Sequence, residues 1–298
     1  MRRTTILAIS GLALVGVLTA CGSAQQGEPV PAAGSDQAAP TTGASGGGGA
    51  TAPSGPLEQL VTKAGAAMAA KKTAKITVSA SGAPAADGMG GSGVIRLDGN
   101  EVALSMTSKM AGEPGQPAQE TKMIVVGGAM YVEAPKDMPV EPGKKWVKID
   151  PNGTDVMSKL LGVVVRQVRQ SADPKNMFKT FTDAGTLNGS SPDTLDGVAT
   201  TKHKLAVDLR KMSEKATDPL TKLSYEALLK NGVTTMDYDF WTDAQDLPKQ
   251  FQFTQRMPGS DAGITMVAKY SAWGEPVDIK APAESEIAPP VELPQPTR

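Results

Sequence analysis

Apolar positions along this chain follow two periods in turn. Over residues 57–70 they recur at helical spacing, with Leu57, Leu60, Val61, Ala64 and Met68 on one face. From Lys75 the period becomes two. Lys75-Ile76-Thr77-Val78-Ser79 alternates as a half-buried strand does, and so does Gly93-Val94-Ile95-Arg96-Leu97. Asp98-Gly99 is a tight-turn pair, and residues 101–106 return antiparallel behind it. Residues 122–126, a Gly127-Gly128 turn and residues 130–133 make the next hairpin, and 145–149 follows.

The middle of the chain changes character. Residues 155–169 carry Val156, Met157, Leu160, Leu161, Val163, Val164, Val165 and Val168; residues 176–184 carry Met177, Phe178 and Phe181. Both read as helices. The first is apolar around much of its circumference, more than a helix needs to cover a sheet with one face. Alternation resumes over 199–209. Residues 220–229 read as a helix stopped at Asn231-Gly232. Runs 235–241, 249–256 and 263–271 complete a second meander. The layout predicts an α+β fold: an antiparallel sheet with helices inserted between its halves.

Two segments stand outside this pattern. Arg2 and Arg3 precede the apolar run Ile6–Val17, which ends at Leu18-Thr19-Ala20-Cys21. The run is shorter than the ~18–20 residues that span a bilayer. Its flanks are those of a leader whose cleavage exposes Cys21 for lipidation. The expected organisation is a signal peptide over 1–20 and a lipidated Cys21 opening a tether to residue 56. A domain over 57–282 and a Pro-rich disordered tail over 283–298 follow. Residues 22–56 are Gly, Ala, Pro, Ser, Thr and Gln with few charges, too polar to bury a core. As a coil they reach ~30–35 Å. The expected location is the extracytoplasmic face of the cell membrane, held by the lipid anchor.

Composition narrows the chemistry. Cys21 is the single cysteine, so no disulfide staples the domain. The net charge is −1 and no arginine-rich face is seen, which argues against nucleic acid as a partner. Methionine is abundant, at 14, while aromatic residues make up 4 %. Flexible, polarisable methionines line adaptable apolar pockets and also fill ordinary cores; both readings stay open at this stage.

No motif supplies catalysis or a cofactor site. Gly88-Met89-Gly90-Gly91-Ser92-Gly93 matches a dinucleotide-binding spacing, but a strand follows it where a helix must open. Gly43-Ala44-Ser45-Gly46-Gly47 matches a nucleophile-elbow spacing inside the tether, with no sheet to hold the serine. His203 is the single histidine and reads as a solvent-facing strand residue between Lys202 and Lys204. Asp137, Asp150, Asp243 and Asp246 fall at turns, where aspartate bonds its own backbone. The chain is expected to be neither an enzyme nor a metal protein.

Several stretches together resemble actinobacterial LppX/LprG-type lipoproteins, relatives in fold of the LolA and LolB carriers. These are Leu18–Cys21, the Thr/Gly/Pro tether, the short helix, and the hairpin Ile95-Arg96-Leu97-Asp98-Gly99-Asn100. Met130-Tyr131-Val132 leads on to Trp146-Val147-Lys148-Ile149-Asp150, and Phe240-Trp241-Thr242-Asp243 precedes Leu247-Pro248-Lys249. The resemblance implies a sheet curled into a half-barrel, with helices closing its concave face over a cavity for acyl chains of lipids or glycolipids. It implies a lid carrying Met157, Leu160, Leu161, Val164, Phe178 and Phe181. Val78, Met106, Met123, Val125, Met130, Met236 and Met266 then line the cavity. The competing expectation is a filled core whose outer face binds or senses a partner protein in the envelope.

Overall fold

The computed structural model describes residues 55–82, 88–98, 101–110, 119–135, 140–172, 174–216, 219–256 and 263–290. Cys21, the tether, Gly99 and Asp137 lie outside the described residues. Helix α1 (Pro56–Lys71) opens on a proline at its first position with Glu58 in its first turn. It stops at Lys72, whose φ of 65° turns the chain and whose N–H bonds the Met68 carbonyl at 2.9 Å. Its inward face is Leu60, Ala64 and Met68.

The first meander comprises β1 (Thr73–Ser81), β2 (Gly90–Asp98), β3 (Glu101–Met110), β4 (Gln119–Val126), β5 (Ala129–Glu133) and β6 (Trp146–Ile149). Helices α2 (Val156–Ala172) and α3 (Pro174–Ala184) follow. Then come β7 (Gly185–Leu195), β8 (Val198–Asp208), α4 (Leu209–Lys215) and α5 (Pro219–Lys230). Strands β9 (Thr235–Thr242), β10 (Pro248–Arg256) and β11 (Gly263–Ser271) complete the sheet.

All eleven strands join one open antiparallel sheet in the order β6-β5-β4-β3-β2-β1-β11-β10-β9-β8-β7. The first and last strands therefore meet at the centre, and β6 and β7 are the two edges. The chain must pass from one edge to the other between them. Helices α2 and α3 make that crossing, which is why the helices sit together as one layer on one face. In that layer α3 packs on α1, α2 and β8, and α2 on β6. The sheet is the expected half-barrel of an α+β fold.

Strict alternation fixes which side chains face the helices. On β1 the buried residues are Ala74, Ile76, Val78 and Ala80. The register carries the same row across the sheet: Val78 stands beside Ala268, Ala268 beside Phe251, Phe251 beside Phe240, and Phe240 beside His203. On the other side Ile76 stands beside Gly93, then Met106, Met123 and Val132. Gly93 has no room for a side chain. A Cβ there would lie 2.2 Å from the Ser105 carbonyl oxygen, so the close approach of β2 to β3 depends on glycine.

The structure corrects the sequence reading at four places. Strand β7 was not expected at all. Helix α4 interrupts what reads as the end of β8; Asp208 caps it, its carboxylate accepting from the Arg210 and Lys211 amides at 2.8 and 3.1 Å. The ordered chain also runs past residue 282. Glu284–Glu286 form one 3-10 turn, and Ile287 pairs in parallel with Trp146 on β6. Lys145 N–H bonds the Glu286 carbonyl at 2.8 Å and Ala288 N–H bonds the Trp146 carbonyl at 2.7 Å. This segment covers the otherwise open edge of β6. The fourth correction is His203, taken up below.

The Gly-rich stretch at residues 88–93 does lead into a strand, β2 starting at Gly90. Asp150 and Asp243 act as turn residues. Asp150 Oδ1 accepts from the Asn152 amide, and Asp243 Oδ1 from the Gln245 and Leu247 amides. Asp246 takes a φ of 60° in the same turn as Asp243.

Candidate functional site

The apolar face between sheet and helix layer is one continuous cluster with two chemically distinct halves. The half under β9 and β10 is aromatic. Phe178 and Phe181 come down from α3; Tyr238, Phe240, Phe251 and Phe253 come up from the sheet. Their rings interlock. Phe181 meets Tyr238 edge-on at 5.4 Å between centroids, Phe240 meets Phe251 at 5.2 Å, and Phe178 meets Phe240 at 6.0 Å.

The other half, over β2 to β6, holds no ring in this row. Its side chains are Leu104, Met106, Met123, Val125, Met130 and Ile149, all buried. Met106 and Met123 are direct neighbours across β3 and β4, and Met130 pairs with Ile149 and Val125. Helix α2 lies at the β6 end of this half. A methionine-lined surface can re-pack around a guest in a way that interlocked rings cannot.

Most of the residues singled out from sequence meet here. Val78, Met106, Met123, Val125, Met130, Phe178, Phe181, Met236 and Met266 belong to the buried cluster. Met157, Leu161 and Val164 of α2 are partly buried against it. Leu160 does not join them: it is 62 % exposed and points away from the core. The structure adds Leu104, Ile149, Tyr238, Phe240, Phe251 and Phe253 to the same face. Their period-two positions within the strands carried that information in the sequence.

The helix layer holds one buried polar anomaly. Thr180 on α3 is 3 % exposed, and its hydroxyl has no hydrogen-bond partner among the described residues. An unmet buried hydroxyl costs about 1–3 kcal/mol.

His203 is buried, not solvent-facing. It continues the inward row of Leu205 and Val207 on β8, with Phe240 beside it at a ring distance of 6.0 Å. Its Nδ1 is 2.8 Å from Ser190 Oγ and its Nε2 3.1 Å from Thr242 Oγ1. Neither partner is charged. Burial lowers its pKa below the ordinary 6.5, with Asp246 opposing weakly. In the unfolded chain the ring therefore takes a proton first. Stability is complete above pH 6.5 and is lost as pH falls below it. We expect unfolding free energy to decline as pH falls below 6.5, ahead of the carboxylates, and His203→Asn to flatten that slope. Denaturant titrations across this range read the difference directly; equal slopes in both proteins would rule out the assignment.

No family model matches the chain, and no curated protein matches its sequence. Solved structures do match. The chain is similar in fold to LprF and LppX. The LprF structure, from Mycobacterium bovis, is 15 % identical, with 78 % of this chain and 99 % of that one covered at a TM-score of 0.46. The lipoprotein LppX of Mycobacterium tuberculosis is 15 % identical, with 75 % and 98 % covered at 0.45. A chain of the Pseudomonas aeruginosa MucA/MucB complex is 11 % identical, with 77 % and 59 % covered at 0.35.

Proposed function

We propose that this chain is an extracytoplasmic lipoprotein, anchored through Cys21, that binds or carries acylated lipids or glycolipids between its sheet and its helix layer. The observation that carries the proposal is the asymmetry of the core. One half is locked by rings, and the other is lined by methionine and aliphatic side chains beneath the crossing helices. Acyl chains would lie along Met106, Met123 and Met130 and be covered by Met157, Leu161 and Val164. Each buried methylene contributes about 0.8 kcal/mol, so affinity would come from chain length and not from a polar contact.

This reading needs no chemistry from the protein. Entry and exit require α2 and α3 to move relative to the sheet edge they cross, a gating motion of the usual kind. Titration of the purified, delipidated chain with a pyrene-labelled phospholipid tests it. We expect saturable binding at one molecule per chain, with excimer-free emission showing a single enclosed probe. Emission unchanged by the protein would favour the alternative, an envelope module that binds a partner protein. The interlocked aromatic half is the observation behind that alternative, since it shows how much of this core is already filled.

A further inference from the structure

Helix α2 turns part of its apolar surface outward. Leu160 is 62 % exposed and Val163 37 % exposed, one turn apart on the same side. At 100° per residue Lys159 and Arg166 fall on that stripe too, and both are exposed. The helix contains no acidic residue anywhere along Val156–Ala172, although the chain as a whole carries a net charge of −1. Asp155, just before it, is occupied in capping: its Oδ1 accepts from the Ser158 amide at 3.0 Å. The Arg166 guanidinium donates one bond to the Pro151 carbonyl at 2.6 Å and keeps its charge beside the stripe.

A single exposed leucine needs no explanation. Two apolar side chains bracketed by cations on an acid-free helix form the pattern of an interfacial helix. Two observations select a bilayer as the occupant. Lys159, Arg166 and Arg169 outnumber the one ionised carboxylate beside them, Asp155, so the local charge is opposite to that of anionic lipid headgroups, each cation near such a surface adding to the attraction. Helix α1, which opens at Pro56 directly after the tether in sequence, also belongs to this layer, because α1 packs on α3 and α3 on α2. We propose that the outward stripe Lys159, Leu160, Val163 and Arg166 of α2 docks on an anionic lipid bilayer, with Leu160 and Val163 inserted below the headgroups. The proposal goes beyond the binding of lipid in the core and holds whether or not any lipid enters there.

The test uses the full lipidated chain, purified from bacterial membranes and placed on vesicles. With Cys21 acylated, a Val163→Cys variant offers one free thiol for an environment-sensitive fluorophore. On phosphatidylglycerol–phosphatidylcholine vesicles we expect its emission to shift to the blue and to be quenched by spin-labelled lipid. On phosphatidylcholine alone, in high salt, or with Lys159→Glu and Arg166→Glu added, the shift should vanish. A Leu223→Cys variant is the control. That position is 59 % exposed on α5, and its label should report water throughout. Identical spectra at position 163 on both vesicle types, or an equal shift at position 223, would overturn the proposal. Both labels sit on exposed positions, so neither variant disturbs the core. Neither outcome depends on lipid in the core, which is tested separately.

Discussion

Phe181→Ala is expected to cost about 3–5 kcal/mol of folding stability. Phe181 is fully buried and, together with Phe178, holds α3 to the second half of the sheet. Its ring meets Tyr238 edge-on at 5.4 Å and Phe251 at 5.6 Å. Truncation would open a cavity where three elements converge, and stiff rings cannot collapse to refill it. Urea denaturation monitored by far-UV circular dichroism gives the number. A loss under about 1 kcal/mol would mean that the aromatic half is loosely packed and that the two-part description of the core is wrong.

The second large effect concerns the other half. Met106 faces Met123 across the strand pair and lies two places from Ile76 in the same row. A tryptophan at this position adds bulk where acyl chains would lie. Each methylene that it displaces removes about 0.8 kcal/mol of binding, so two displaced groups already lower affinity more than tenfold. Met106→Trp is therefore expected to abolish measurable loading of the pyrene phospholipid. Folding stability should stay within about 1 kcal/mol of the parent, because the side chain enters space that a ligand otherwise uses. Overpacking of a filled core gives the reverse: a loss of about 1–3 kcal/mol with loading unaffected.

Much of this architecture was legible in the chain because apolar residues recur at every second position in most of the strands, and the pairs Asp98-Gly99 and Gly127-Gly128 mark two of the hairpins. Gly127 and Gly128 both take positive φ, at 58° and 81°, as a two-residue hairpin turn demands. Strand β7 was not legible. Over Gly185–Leu195 only Leu187 and Leu195 are apolar, and nearly every residue is exposed. Edge strands of this kind are specified by pairing with the neighbour, here β8, and not by a pattern of their own. Helix α4 carried a signal that the alternation of Ala199–Leu209 masked, the Asp208 cap.

His203 shows the opposite error. Its flanking lysines suggest solvent, yet its spacing of two from Leu205 places it on the inward row, and Ser190 and Thr242 supply its partners from β7 and β9. In a strand, the residues two away are better guides to burial than those beside it. For the buried face between sheet and helices, the strand methionines and the α3 phenylalanines could be placed from period alone. Leu160 could not, because a helix apolar on most sides does not reveal which apolar residue it turns outward.

The most direct test is native mass spectrometry of the full chain purified from membranes in mild detergent, with organic extraction of what accompanies it. The chain should keep residues 283–290, since ending it at 282 would uncover the outer edge of β6. We expect a stoichiometric mass increment beyond the covalent anchor, released by extraction and carrying acyl chains, and absent from Met106→Trp. A chain that carries its anchor and nothing more, and that stays bare after incubation with acylated lipids, would contradict it.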